Sequence, residues 1–435
     1  MAIPQHLDDE PAFLGVETSL TGRRWVGPTL EQTRLAEALA QQASLPPAVA
    51  GILAKRGVLP KHAESFLAPA LRDLLPDPMV LKDMAHAAER VLTAVAAREK
   101  IAIFADYDVD GGSSAALLLD WLRQMGRGAT LYIPDRIDEG YGPNVPAMSA
   151  LARDHDLIIC VDCGTLSHDA IAAAEGADVI VLDHHLGGET LPPALAVVNP
   201  NRQDESGDLG HLCAAAVVFL MLVEAGRQMR EAGAKGPDLL ALLDLVGLAT
   251  VADVAPLTGV NRAFVRQGLR VMGQRHRIGL VALADAARLE TAPTSYHLGY
   301  VLGPRINAGG RIGAADLGAR LLATDDPHEA AALAERLEGL NAERRDIEAA
   351  VRHAALAQAE ARDARALAWA AGDGWHPGVV GIVASRLKET ANRPSVVIGF
   401  EGDAGKGSGR SVPGVDLGAA IQRLAAEGLI EKGGG

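Results

Sequence analysis

Asp106, Asp108 and Asp110 stand at alternate positions in the stretch Ala105–Ser114, which also carries Gly111 and Gly112. Carboxylates spaced this closely repel one another. A divalent cation among them is the economical remedy, because hard cations are held by oxygen ligands. The plainer alternative is a polar strand-to-helix turn in which one aspartate caps the helix. Three further groups of the same character lie along the chain: Asp162 in Val161-Asp162-Cys163-Gly164, then Asp183-His184-His185, then Asp253, which interrupts the apolar segment Thr250–Leu257. Each has a bland alternative as a cap or a core polar residue. Together they supply what phosphoester hydrolysis by two ions about 3.5–4 Å apart demands: several carboxylates and a histidine, converging from different segments.

The elements that would position these groups are legible from periodicity. Apolar runs at Lys100–Phe104, Ala129–Ile133, Leu157–Val161, Val179–Leu182 and Ala194–Val198 read as strands, with helical patterns at Ser114–Met125, Val145–Arg153 and Ser167–Glu175 between most of them. Such alternation predicts a largely parallel α/β sheet with helices on both faces. Ligands of such sheets gather outside the carboxyl ends of the strands. At those ends stand Asp106, Pro134-Asp135-Arg136, Asp162, Asp183-His184-His185 and Asn199-Pro200-Asn201-Arg202. Random surface polarity would not respect that edge.

Elsewhere, residues 1–80 read as an accessory segment with helices at Thr29–Gln42 and Pro46–Lys55, and Met84–Arg98 is a helix leading to the first strand. Residues 208–330 read as mostly helical, and Gly303–Ile312 as a glycine-rich turn whose Arg305, Asn307 and Arg311 suit phosphate or carboxylate recognition. Asp326-Pro327 opens a long helix reaching Arg365, with proline as its first residue. It is expected to join two lobes. A second α/β unit follows: strand Ala366–Ala371, the loop Gly374–Gly381 entering a helix, strand Ser395–Phe400, and a basic stretch Lys406–Ser411 in which Lys406, Ser408 and Arg410 alternate with glycines. The chain contains no GxxxxGK[ST] phosphate loop.

Composition sets the limits. A chain of 435 residues with 49% apolar and 3% aromatic residues fits a helix-rich globular protein rather than an all-β one. A net charge of −14 argues against nonspecific coating of nucleic acid, although clustered metal-binding carboxylates inflate that count. The three cysteines, Cys160, Cys163 and Cys213, form no disulfide framework, and Cys160–Cys163 lacks the second pair a structural zinc site wants. Neither a signal peptide nor a membrane span is indicated, so the cytoplasm is the expected compartment.

The DYDVDG, VDCG, LDHH and TVADVAPL stretches resemble the DHH phosphoesterase superfamily. GPRINAGGRIG, GWHPGVVGIVASRL and GSGRS are similar to the motifs of its bacterial single-stranded-DNA-specific exonuclease branch, the RecJ family. The resemblance implies a DHH-type, mostly parallel sheet domain over 81–325, a connecting helix over 326–365 and a smaller DHHA1-type α/β domain over 366–435. It implies one metal held by Asp106, Asp108 and Asp162 and a second held by Asp110, Asp162, His184 and Asp253. Asp108, Asp110, Asp162, His184 and His185 would be catalytic, with His185 facing the scissile phosphate. Arg136, Ser408 and Arg410 correspond to the pocket for the 5′ end, Arg305, Asn307 and Arg311 to contacts with the terminal nucleotides, and His376 belongs to the same DNA-binding set. The family uses Mn²⁺ or Mg²⁺ and degrades single-stranded DNA from 5′ to 3′ into 5′-mononucleotides, in recombination and repair. It implies helicase and single-strand-binding-protein partners and no membrane.

Two departures stand out. Ala214-Ala215-Ala216 replaces a usual glycine, and the chain stops at Gly435 before a further motif and an OB-fold that the family carries. The expectation is a truncated chain with a complete metal site and an incomplete clamp on the strand. A nanoRNA or dinucleotide phosphatase of the same superfamily would share the ligand set. A non-catalytic DNA-binding scaffold would be expected to have lost ligands, and none is missing here.

Overall fold

The computed structural model describes residues 11–135, 139–362 and 366–433. It comprises two compact units, one built from the described residues up to Ala70 together with those from Glu348 onward, the other from Leu71 to Ile347. In the first, α1 (Leu30–Gln42) and α2 (Pro47–Lys55) pack through Leu39, Ala50, Leu53 and Ala54. Thr29 and Gln32 close α1 with a reciprocal capping box.

The second unit is organised by five parallel strands. In chain order it runs α3 (Met84–Ala97), β1 (Ile101–Ala105), α4 (Val109–Gln124), β2 (Thr130–Tyr132), α5 (Val145–Asp154), β3 (Leu157–Val161), α6 (His168–Ala172), β4 (Asp178–Leu182) and β5 (Ala196–Val198). The strands lie in the order β2-β1-β3-β4-β5. Their side chains alternate between two cores: Ile103, Val161, Leu182 and Val198 face one, while Phe104, Cys160, Val181 and Val197 face the other. Burial on both faces is why these strands read as unbroken apolar runs. Because β1 connects outward to β2 and the chain then crosses back to β3, the sheet has its topological switch point between β1 and β3, where α/β folds bind ligands.

Register turns that topology into a site. Ala105 pairs with Val161, Val161 with Leu182, and Leu182 with Val198. The next residue on each strand is therefore Asp106, Asp162, Asp183 and Asn199, side by side along one edge.

Helices complete the unit: α7 (Ala214–Glu231), α8 (Leu243–Ala252), α9 (Gly259–Gly273), α10 (Ile278–Ala286), α11 (Gly303–Ile312), α12 (Leu317–Ala323) and the part up to Ile347 of the 35-residue α13 (Pro327–Ala361). In the other unit follow β6 (Ala368–Asp373), α14 (Pro377–Ala391), β7 (Ser395–Glu401), β8 (Ala404–Arg410) and α15 (Leu417–Ala426), with β6 parallel and β8 antiparallel to β7. No helix among the described residues is long and apolar enough to cross a membrane.

Three stretches differ from the expectation drawn from sequence, where capping and tertiary contacts outweigh local glycine preference. Helix α4 starts at Val109, not Ser114, because three of its first N–H groups are satisfied: those of Asp110 and Gly111 donate to Asp108 Oδ1, and that of Val109 donates to Asn307 Oδ1 at 2.9 Å. Gly303–Ile312 is helix α11 rather than a turn. Its Gly310 is demanded by packing, since a Cβ there would lie 1.9 Å from the Tyr107 ring. The basic stretch Lys406–Arg410 is an edge strand, β8.

The crossing of α8 and α9 tests the packing directly. A Cβ on Gly268 would lie 2.4 Å from the Leu243 carbonyl oxygen, whereas a Cβ on Gly339 in α13 would meet nothing within 4 Å among the described residues beyond its own helix backbone. Gly268→Ala should destabilise the protein by about 1–3 kcal/mol through overpacking. Gly339→Ala should stabilise it by up to about 1 kcal/mol through helix propensity. Denaturation midpoints moving in opposite directions would bear this out.

Candidate metal centre

The row of groups at the strand ends converges with two groups from helices. Three overlapping triads, Asp106–Asp108–Asp162, Asp110–His184–Asp253 and Asp162–His184–His185, each offer ligand atoms within 4.8 Å of one another. Asp162 belongs to two of them, and His184 joins the two sides. His184 Nε2 lies 3.2 Å from Asp162 Oδ1 and 3.6 Å from Asp110 Oδ2, and its Nδ1 lies 4.0 Å from Asp253 Oδ2.

Each carboxylate has its own support. Asp108 is the N-cap of α4. Asp110, 1% exposed, receives the N–H groups of Ala214 and Ala215 on its two oxygens at 2.7 and 2.8 Å. It therefore sits on the N-terminus of α7, where free N–H groups and the helix dipole favour an anion. Those donors come from the Ala214-Ala215-Ala216 stretch, so the departure from glycine leaves the backbone contacts in place. Asp162 adopts a left-handed backbone, φ 59°, which an aspartate tolerates. Asp253 ends α8 as its C-cap and still reaches the cluster with its side chain. The following Val254 is also left-handed, φ 60°, a conformation strained for a β-branched residue.

Asp183, considered from sequence as one more carboxylate for the cluster, has a different task. Its oxygens accept from Thr165 N and Oγ1, from the N–H groups of His184 and His185, and from His185 Nδ1 at 2.8 Å. Burial alone would raise its pKa, but these donors outweigh it and hold Asp183 well below the usual carboxylate range. The same hydrogen bond raises the pKa of His185. The pair thus orients His185 and favours its positive form. Sequence reasoning did not single out the rest of this frame: Asn199 Nδ2 donates to Thr165 Oγ1 and to the His185 carbonyl, and Asn201 Nδ2 donates to the His184 carbonyl. Tyr141 donates to the Asp162 carbonyl at 3.1 Å, and Asn261 ties the carbonyls of His211 and Pro256 together. The only early signal was Asn199 and Asn201 directly after a strand.

The residues expected to touch DNA divide differently. Arg136 lies outside the described residues. Arg305 is committed within its unit, pairing with Glu338 and donating to the Val301 carbonyl, so it braces α11 against α13. Asn307 is spent in part on capping α4. Arg311 lies in the last turn of α11. In the other unit His376 caps α14 by accepting from Gly378 N, and Arg410 donates to Ser408 Oγ and Ser385 Oγ.

The donor set suits divalent cations. It is rich in carboxylate oxygen with one or two imidazoles, and Asp162 Oδ1 is buried without a hydrogen-bond partner among the described residues. Burial, followed by repulsion from Asp110 and its neighbours, raises the pKa of Asp162; burial chiefly pushes Asp110 up to about 7. Like charges about 4 Å apart repel by about 4 kcal/mol at an effective dielectric near 20.

Comparison with known proteins agrees with this fold. The DHH family N-terminal domain matches residues 100–250 and the DHHA1 domain matches 354–435. The single-stranded-DNA-specific exonuclease RecJ of Dickeya dadantii is 40% identical over 413 residues, covering 90% of this chain and 71% of that protein. The chain belongs to the RecJ family. The Escherichia coli member is 36% identical over the same shares, and the Bacillus subtilis member 36% identical with 50% of its length covered. The crystal structure of RecJ with Mn²⁺ from Thermus thermophilus superposes with a TM-score of 0.78 at 33% identity, over 94% of this chain and 57% of that one. The chain thus spans between 50% and 71% of the length of these relatives.

Raised carboxylate pKa values have a measurable consequence. A group whose pKa is raised on folding contributes stability below its unfolded value, near 3.9, and loses it as pH climbs through its folded value. Metal-free protein in chelator should therefore lose thermal stability as pH rises through about 7, the value for Asp110. Mn²⁺ should restore it, with a larger rise in Tm at about pH 8 than at about pH 5, since metal binding must displace protons. A metal-induced shift independent of pH would contradict the assignment.

Proposed function

We propose that this chain carries the hydrolytic centre of a single-stranded-DNA exonuclease dependent on Mn²⁺ or Mg²⁺, acting from 5′ ends to release 5′-mononucleotides in recombination and repair. The observation that carries it is the convergence of Asp106, Asp108, Asp110, Asp162, His184 and Asp253 at the switch point of the sheet. We assign one cation to Asp106, Asp108 and Asp162, and the other to Asp110, Asp162, His184 and Asp253, with Asp162 shared. When bound, a pair of divalent cations supplies neutralisation of the phosphodiester charge and activation of water.

The side chains do the rest. Asp183 holds the Nδ1 proton of His185, so the imidazolium is available to stabilise charge on a phosphate oxygen in the transition state. The α7 N-terminus keeps Asp110 in place, and Asp108 and Asn307 fix the start of α4. Arg136, Arg305, Asn307, Arg311, His376, Ser408 and Arg410 are the residues we assign to the strand and its 5′ end, Arg305 and Asn307 also holding α11 and the start of α4. Helicase and single-strand-binding-protein partners, and a cytoplasmic location, rest on family membership. We divide the chain into an accessory segment over 1–80, a catalytic domain over 81–325, a connecting helix over 326–365 and a DHHA1-type domain over 366–435.

His184→Ala removes a cluster ligand without uncovering a helix end, unlike a change at Asp110. It should lower Mn²⁺-dependent release of mononucleotides from a 5′-labelled single strand by about a hundredfold or more, given that even outer partners of metal ligands cost 10–100-fold. Circular dichroism should stay unchanged. A retained rate would overturn the assignment, and faster attack on dinucleotides than on long strands would favour the phosphatase alternative.

A further inference from the structure

Aromatic residues make up only 3% of the chain, and five of them are tyrosines. Three have evident structural tasks: Tyr107 packs against Gly310, Tyr132 donates to Glu139, and Tyr141 donates to the Asp162 carbonyl. The remaining two, Tyr296 and Tyr300, are 62% and 72% exposed. Their rings stack on each other, centroids 5.1 Å apart and planes inclined by 26°. Neither hydroxyl meets a protein partner among the described residues. A large exposed aromatic pair with nothing to cover it is unusual for a surface that serves only solubility.

Its position is specific. The pair rides on the short helix Ser295–His297 and the π-helical turn Leu298–Leu302 that lead into α11. Single π-turns are uncommon and frequent at functional sites. This segment is seated on the end of α8: a Cβ at Gly299 would lie 3.3 Å from Val251 Cγ1, and one at Gly303 3.4 Å from Ala252 Cβ. The next residue of α8's exit is Asp253, a member of the cluster, followed by Val254 at 85% exposure. The segment that carries the two rings therefore abuts the helix end from which Asp253 reaches the metal centre.

Single strands are gripped by basic grooves and by aromatic side chains on which successive bases stack. We propose that Tyr296 and Tyr300 form a stacking platform for bases of the single strand whose end lies at the metal centre, an inference that rests on the exonuclease assignment. A nucleobase is the occupant that fits: it offers a flat π-face to a ring pair already aligned for stacking, and the neighbouring centre acts on the backbone joining such bases.

The test uses the full chain with Tyr296→Ala/Tyr300→Ala and Tyr296→Phe/Tyr300→Phe double variants. Steady-state hydrolysis with Mn²⁺ is measured on a 5′-phosphorylated single strand and on a strand of equal length carrying abasic sites beyond its terminal nucleotides. The alanine pair should raise KM on the ordinary strand by about tenfold or more, the scale of base–aromatic stacking. The loss should fall on KM rather than kcat, vanish on the abasic strand, and be reversed by the phenylalanine pair. An unchanged KM, or an equal loss on both strands, would overturn the platform; the latter is expected if the pair is covered by a protein segment or supports the fold. Should the unmodified chain fail to cut either strand, the exonuclease assignment falls. Strand affinity by anisotropy then decides the platform: equal affinity of the unmodified and alanine proteins for the ordinary strand rejects it.

Discussion

Repulsion among carboxylates crowded at one edge of a sheet is the constraint on which the rest of the second unit depends. Asp106, Asp108, Asp110, Asp162 and Asp253 converge there, three of them almost fully buried. Isolated buried carboxylates are costly, and like charges in contact make them costlier. The fold offsets part of this with directed dipoles: the α7 N-terminus on Asp110, the first turn of α4 on Asp108, and the His184 imidazole between the two sides. The remainder, concentrated on Asp162, is what a bound cation relieves. Stability is thus held in reserve for function, as expected where a site is destabilising by construction.

A second layer exists to keep that arrangement fixed. Helix α11 abuts the aspartate loop through Asn307 and Gly310, and Glu338 on α13 holds α11 through Arg305. The Thr165–Asp183–Asn199–Asn201 frame fixes both histidines through side chain and backbone. Arg305 and Asn307, which suggest ligand contact by composition, thus also hold the elements around the aspartate loop in place. Support of that kind is what a constellation of ligands needs to stay in register.

The strands and the chemistry were legible in the sequence for one reason: fully buried parallel strands are continuous apolar runs, and what ends them is conspicuous. Ile101–Ala105 and Leu157–Val161 announce themselves, and so do Asp106 and Asp162. Strand order and register were not legible, because crossover connections leave no local trace. Yet register is what sets Asp106, Asp162, Asp183 and Asn199 in a row. Glycine misled in α11 and at the start of α4, where it marks close packing rather than a turn. Asp183 was indistinguishable from a metal ligand by type and place. Only its five donors reveal it as a support for His185.

The central claim is that one carboxylate, Asp162, serves two cations at once. Mn²⁺ stoichiometry by isothermal titration on the unmodified chain and on Asp162→Asn tests it most directly. Two ions per chain, with loss of tight binding at both sites in the variant, is the predicted result. A single ion in the unmodified chain, or two retained in Asp162→Asn, would contradict it.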